Sequence, residues 1–202
     1  KGRKIMKILI TILLSYLIGC FSSAYFLGKI SKNIDIRNYG SGNAGATNAL
    51  RVLGKKVGAL TFALDILKGV IAVLIGKSMF GFNGSLLAGI FVVLGHDFPI
   101  FLGFKGGKGV ATSFGVLLIL NWKAGLAWLL VAASIIIFTK YVFLGSIAAS
   151  ISAPVAMVLT LDSVNKYLYI TTWVLAALSV YRHKANIFRL CRGEENKLGN
   201  NI

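Results

Sequence analysis

Ile8-Leu-Ile-Thr-Ile-Leu-Leu-Ser-Tyr-Leu-Ile-Gly-Cys-Phe-Ser-Ser-Ala-Tyr-Phe-Leu27 runs for twenty residues without a charge. At ~1.5 Å per residue a helix of that length spans about 30 Å, the hydrocarbon thickness of a bilayer. The run is also long enough to stay as a span rather than be removed as a signal. Outward from it, six further apolar segments follow, at 57–75, 85–102, 110–120, 124–139, 142–161 and 167–181. The 110–120 segment is short, and starting it at Gly106 lengthens it to roughly 22 Å. Lipid offers no partners to backbone groups, and these runs are too long for barrel strands. An all-α integral membrane protein with seven transmembrane helices is therefore expected.

Composition points the same way. Of 202 residues 56% are hydrophobic, and the mean hydropathy is +0.79, more apolar side chain than one soluble core of this size can hide. No repeat, coiled coil or flexible linker interrupts the chain, so one polytopic domain over 1–202 is expected. Residues 1–5, which precede Met6, read as an expression remnant and are left out of the topology. Cys20 and Cys191 form neither a metal-ligand spacing nor a disulfide framework.

Twenty-two Lys and Arg against six Asp and Glu give a net charge of +16. In a soluble protein that excess would indicate nucleic acid. Here the basic residues flank apolar spans, with no basic domain or stacking platform, so membrane lipids and anionic substrates are the expected partners. With the N-terminus outside, inner loops and tail carry fourteen basic residues and the outer side four. That bias places the C-terminus in the cytoplasm. Even numbers of spans then separate the polar stretches near 41–48, 103–109 and 182–195, which puts a site at the cytoplasmic face. Merging the segments at 110–120 and 124–139 into one crossing would move the last stretch to the other side.

The first polar stretch is Gly40-Ser-Gly-Asn-Ala-Gly-Ala-Thr-Asn48, followed by Arg51. Its formal Gly-x-Gly-x-x-Gly has no βαβ unit around it, so no dinucleotide fold is implied. Small residues let backbone approach an anion, while Ser41, Asn43, Thr47 and Asn48 offer hydrogen bonds and Arg51 a bidentate fork. A short helix from Ala46 would turn its positive end toward the site. The plainer alternative is a Gly/Asn-rich turn capped by Thr47 or Asn48.

The second stretch, Gly95-His-Asp-Phe-Pro-Ile-Phe-Leu-Gly-Phe-Lys-Gly-Gly-Lys-Gly109, fails the Walker pattern at Leu102 and Gly109. Lys105 and Lys108 around Gly106 and Gly107 at a helix start still make an anion cradle, although a lysine flanking a span needs no site. His96 either belongs to the site or closes its helix with Asp97 and Pro99. The third stretch, Tyr181 to Glu195, read as one helix, puts Arg182, Asn186 and Arg189 on one face. It is either a surface-lying amphipathic helix or a ligand-facing one, with Glu194 pairing to a nearby Arg. Within the membrane, Asp65 and Lys68 at i, i+3 read as an ion pair stabilising the bundle, and Ser146 stands near the inner end of its span. There is no Gly-x-Ser-x-Gly elbow, no His-Glu-x-x-His, no supported Cys–His pair and no His-x-x-x-x-Asp.

Together, Ser41-Gly-Asn-Ala-Gly-Ala-Thr-Asn48 with Arg51, the Gly-His-x-Phe-Pro…Phe-Lys-Gly-Gly-Lys-Gly run, and Arg182-His-x-x-Asn-Ile-x-Arg189 with Gly193-Glu resemble the bacterial acyl-phosphate-dependent glycerol-3-phosphate acyltransferases, the PlsY family. Asp65-x-x-Lys68-Gly69 fits as well, and the resemblance covers essentially the whole chain. It implies transfer of a long-chain acyl group from acyl phosphate to the 1-hydroxyl of glycerol 3-phosphate, giving lysophosphatidic acid and phosphate in the bacterial inner membrane. It implies no metal or other cofactor and no covalent acyl-enzyme. The expected catalytic residues are Ser41, Arg51, Lys108, His183 and Asn186. Substrate binding is expected from Asn43, Gly45, Thr47, Asn48, His96, Lys105, Gly106, Gly107, Gly109, Thr112, Ser146 and Arg182. The proton acceptor is left open between His183 and the donor's own phosphate. The chain is expected to act as a monomer. A transporter for a phosphorylated solute is the competing class, but it would place its polar groups near the midplane of repeated halves. A membrane phosphotransferase would need a carboxylate cluster that is missing.

Overall fold

In a computed structural model the structure describes residues 2–161, 163 and 165–199. Every regular element among them is helical. Four stretches are long and apolar enough to cross a membrane, Gly2–Lys32, Lys55–Leu102, Trp122–Thr139 and Val142–Thr160, and Val110–Leu120 is a shorter apolar helix. Large apolar side chains such as Leu13, Ile30, Phe138 and Leu159 face outward, while Thr11, Ser15, Thr61, Asp65 and Lys68 are buried. Water would penalise that inverted pattern; hydrocarbon favours it.

The described residues divide into two compact units, one ending at Leu120 and the other starting at Asn121. In the first, the opening apolar run is two helices, α1 (Gly2–Cys20) and α2 (Ser23–Lys32). The backbone leaves the helix at Ser22, with φ −96° and ψ 97°, so the single span expected over 8–27 is broken. Residues 2–5, set aside from the topology on the sequence, continue α1. Asn33 ends α2 in the left-handed region, its N–H donating to Lys29 O over 3.1 Å, with Lys29 and Lys32 at the negative end of the helix dipole. Then come a 3-10 turn, Ile36–Asn38, and α3 (Ala46–Leu53).

The expected segments at 57–75 and 85–102 are the arms of one long element, α4 (Lys55–Asp97), which leaves helical geometry at Phe80 and Gly81. Gly81 has φ 61°, a value that favours glycine. The arms lie so close that a methyl on Gly76 would overlap Gly84 O, and one on Gly84 would overlap Gly76 O. Glycine at helix contacts lets backbones meet where lipid supplies no driving force of its own. The same device seats α1 on the second arm, since a side chain on Gly95 would overlap Tyr16 O and one on Gly19 would overlap Val92 O. The second arm stops at Asp97 rather than 102, because Pro99 bars the preceding residue from helix and Phe98 has φ −133°. α5 (Val110–Leu120) starts at Val110, not Gly106. Its 11 residues reach only about 16 Å. Side chains on Gly69 and Gly115 would overlap Thr112 O and Ile66 O, so α5 lies directly against the first arm of α4.

In the second unit, α6 (Trp122–Thr139) is capped by Asn121, whose Oδ1 accepts from Lys123 N and Ala124 N at 3.1 and 3.3 Å. Asn121 itself is extended, φ −161°, so α5 and α6 are separate helices. α7 (Val142–Thr160) packs on α6 through Gly145, where a methyl would sit 2.7 Å from Ala132 O. It meets α8 (Lys166–Arg182) through Ser150 and Ser179, whose hydroxyls are 2.9 Å apart. α9 (Lys184–Cys191) ends the helical part.

Candidate active site

The first and second polar stretches are joined within the first unit. Asp35 caps the 3-10 turn by accepting from Arg37 N at 3.0 Å. The Arg37 guanidinium then doubles back on the same carboxylate, Nε to Oδ1 at 3.0 Å and Nη2 to Oδ2 at 2.7 Å. Its Nη1 donates to Leu102 O at 2.7 Å, and the group lies 5.3 Å from the centre of the Tyr25 ring. Hydrogen bonding to Arg37 holds the Asp35 carboxyl below its usual range and raises Arg37, against the opposing effect of burial on each. Sequence reading did not single out either residue; their i, i+2 spacing was the only local signal.

Asn48 organises the first loop from inside. Its Oδ1 accepts from Ser41 N at 2.9 Å, and its Nδ2 donates to Ile36 O at 3.2 Å and Tyr39 O at 3.0 Å. Gly40, at φ 58°, passes so close that a Cβ would overlap the same Oδ1. Fully buried, Asn48 shapes the loop rather than standing on its surface. Ser41 is exposed, while Asn43, Gly45, Thr47 and Arg51 are half-buried. α3 starts at Ala46, as expected, but its cap is Gly45; Thr47 and Asn48 lie inside the helix and cap nothing. Asn43 Nδ2 donates to Gly106 O at 3.3 Å, the second tie between the loops.

The glycine loop lies on the end of α4. Gly106 N donates to Asp97 O at 3.3 Å and Gly107 N to His96 O at 3.0 Å. A Cβ on Gly107 would overlap His96 Nε2, and one on Gly106 would overlap His96 O. Gly109, at φ 68°, passes Asp97 and leads into α5, its carbonyl accepting from Ser113 N at 2.7 Å. Lys105 is exposed and Lys108 half-buried. Thr112 stands in the first turn of α5, its Oγ1 buried with no hydrogen-bond partner among the described residues. His96 is buried, with Nδ1 2.6 Å from Lys68 Nζ, so it belongs both to the loop and to the Asp65–Lys68 pair.

The third stretch lies in the second unit and is not one helix. The backbone breaks at His183, between α8 and α9, so Arg182 does not share a helical face with Asn186 and Arg189. His183 is buried, its ring 6.5 Å from that of Phe143 at 30°. Its Nδ1 lies 2.8 Å from Ser179 O. A carbonyl only accepts, so Nδ1 carries the proton and a neutral ring keeps its lone pair on Nε2. The acid that anchors the tail is Glu195, not Glu194: Asn186 Nδ2 donates to Oε1 and Arg189 Nε to Oε2, each at 2.7 Å. Arg182 is half-buried, and Ser146 is buried with Oγ donating to Val142 O at 3.0 Å. Among the described residues no group of three or more His, Cys, Asp or Glu is placed to hold a metal ion.

A family model described as glycerol-3-phosphate acyltransferase matches residues 9–193, which take in the first two stretches and the third as far as Gly193. The chain belongs to that family. The glycerol-3-phosphate acyltransferases of Thermoanaerobacter sp. (strain X514) and Alkaliphilus metalliredigens (strain QYMF) are 50% and 45% identical to it, over 96% and 95% of this chain and 97% and 96% of theirs. Among solved structures it resembles PlsY (YgiH), an integral membrane glycerol 3-phosphate acyltransferase. The TM-score is 0.89 with its glycerol 3-phosphate form, at 41% identity over 95% of this chain and 96% of that one. With its lysophosphatidic acid form the TM-score is 0.87, at 40% identity over 95% of each chain. As a member of the glycerol-3-phosphate acyltransferase family, the chain carries its polar stretches on a membrane fold that is all-helical among the described residues.

Proposed function

We propose that the chain moves an acyl group from a long-chain acyl phosphate to the 1-hydroxyl of glycerol 3-phosphate, yielding lysophosphatidic acid and inorganic phosphate, the first step of phospholipid synthesis. The observation that carries this reading is the pair of interlocked loops in the first unit, each leading from glycine into a helix N-terminus, with Lys105 and Lys108 on the second loop and Arg51 in the last turn of α3. Helix N-termini and basic side chains favour phosphate, and both substrates carry one. The acyl phosphate is assigned to Ser41, Asn43, Gly45, Thr47 and the loop at 105–109, and glycerol 3-phosphate to Arg51, Lys108, His183 and Asn186. Asn48, His96, Gly106 and Gly107 shape that cradle; Thr112, Ser146 and Arg182 complete the assignment.

In the reaction the glycerol hydroxyl oxygen attacks the acyl carbon, the carbon–oxygen bond to phosphate breaks, and the phosphate leaves with the electron pair. Because the donor is an activated anhydride, no acyl-enzyme is required, and positioning with charge stabilisation supplies the rate. The hydroxyl proton passes to His183 Nε2, whose lone pair follows from the Nδ1 contact, or to the donor phosphate. The chain is proposed to act as a monomer and to form one polytopic domain of the bacterial inner membrane. Its α4 crosses twice, giving seven crossings with the N-terminus outside and the site and C-terminus cytoplasmic.

Purified protein given acyl phosphate and radiolabelled glycerol 3-phosphate should form labelled lysophosphatidic acid. Product from acyl-CoA instead would replace the donor, and solute uptake into liposomes without product would overturn the enzyme. In single turnovers across pH, His183→Ala should slow the step by more than about tenfold, or ~1.4 kcal/mol. A smaller effect assigns the proton to the donor phosphate.

A further inference from the structure

The buried ion pair of α4 extends beyond its own helix. Asp65 Oδ1 and Lys68 Nζ are 2.9 Å apart, with side-chain exposures of 2% and 6%. Ser23 Oγ, at the start of α2, donates to the same Asp65 oxygen at 2.9 Å. Lys68 Nζ also donates to Phe21 O at 2.8 Å and Gly19 O at 3.3 Å, closing the end of α1 where carbonyls lack helical partners. Its fourth contact is His96 Nδ1, at 2.6 Å, so three N–H groups are shared among four acceptors, the 3.3 Å contact with Gly19 O being the longest. Asp65 Oδ1 lies 3.7 Å from the same His96 nitrogen, beyond hydrogen-bond reach.

An ammonium only donates, so His96 Nδ1 must accept, and a neutral His96 carries its proton on Nε2. That edge faces the Gly107 backbone, and the carbonyls of His96 and Asp97 hold the Gly106–Gly107 turn. From Gly106 O the chain of contacts continues to Asn43. The two histidines of the chain are thereby fixed in opposite tautomers, His96 with Nε2–H and His183 with Nδ1–H.

We propose that Asp65 and Lys68 are positioning residues: through Lys68 they set the tautomer and orientation of His96, and through His96 the shape of the glycine loop. Its kinetic part rests on that loop cradling the donor phosphate; its structural part does not. A pair that merely stabilised the bundle could be replaced by apolar residues at little cost, because replacing both partners removes the desolvation penalty along with the attraction.

The double variant Asp65→Leu/Lys68→Met in detergent tests this, by nitrogen NMR of histidine-labelled protein in alkaline buffer where both rings are neutral. The unsubstituted protein should show one ring of each tautomer. In the variant His96 should lose its fixed Nε2–H form while His183 keeps its own. Kinetically, kcat/KM for acyl phosphate should fall at least about tenfold, and by more than the KM for glycerol 3-phosphate rises, since Lys108 of the same loop also serves that substrate. A ring that keeps Nε2–H without the pair overturns the proposal. So does an equal loss against both substrates in proportion to the folded fraction, which marks a purely structural pair. If the double variant does not fold, His96→Gln, whose amide N–H takes the place of Nε2–H, is compared with His96→Leu. Recovery of turnover by about tenfold supports the proposal, and equal activities overturn it. Should the unsubstituted protein show no transfer from acyl phosphate, the functional reading fails while the NMR outcome still decides the tautomer.

Discussion

Arg37 holds more of the site together than its position outside the glycine stretches would indicate. It grips Asp35 with two nitrogens and Leu102 O with a third, spanning 65 residues of sequence. A lysine keeps the charge but has no planar fork. Arg37→Lys should therefore lower kcat/KM by about tenfold, ~1.4 kcal/mol, with product formation as the readout. The same pair gives a pH signature. The folded value of Asp35 lies below its unfolded value because Arg37 bonds the carboxylate. The stability it adds is complete above the unfolded pKa, about 3.9, and is lost as pH falls through the folded one. Thermal scans should show a steeper acid loss in the unsubstituted protein than in Asp35→Asn; parallel acid limbs would contradict this.

At the scale of the element, glycine decides how close the membrane helices come. Gly76 and Gly84 bring the arms of α4 into backbone contact. Gly76→Leu should cost about 1–3 kcal/mol or more through overpacking. The control Ala63→Leu, on an exposed position of the same arm, should change stability by less than about 0.5 kcal/mol; thermal unfolding in detergent compares them. Helices were legible from apolar runs, and so was the start of α3 at Ala46, since small polar residues followed by Ala-Leu-Arg make a local signal. The break at Phe21–Ser22 was not legible: no Pro or Gly marks it, and its freed carbonyls are satisfied by Lys68 from another element. The choice of Glu195 over Glu194 likewise depends on the folded chain, which brings Asn186 and Arg189 to it, and neither Pro nor Gly marks the break at His183.

For the whole molecule, the first two polar stretches stand out in the sequence because glycine density and flanking basic residues are local patterns. Which of their groups shape the loops and which face a ligand was not readable, as Asn48 shows: its type suits a ligand, but its three bonds all go to the loop backbone. The proposed topology puts all three stretches on one side of the membrane. In a background with Cys20→Ser, a membrane-impermeant thiol reagent added to inverted vesicles should label the native Cys191 and, in a chain also carrying Cys191→Ser, cysteines placed at Lys56 or Lys105. Cys191 and both lysine positions are exposed. Labelling of Lys56→Cys and Cys191 from opposite sides would refute the seven-crossing arrangement.

Because Asp65 and Lys68 sit one turn apart on one helix, their opposite charges can offset each other within a single segment. During synthesis the first arm of α4 can enter the bilayer as a nearly neutral segment rather than carrying a lone charge into hydrocarbon. The end of α1, made earlier, then receives from Lys68 the donor its last carbonyls lack. The last carbonyls of the first span thus take their donor from a residue 47 to 49 positions further along the chain.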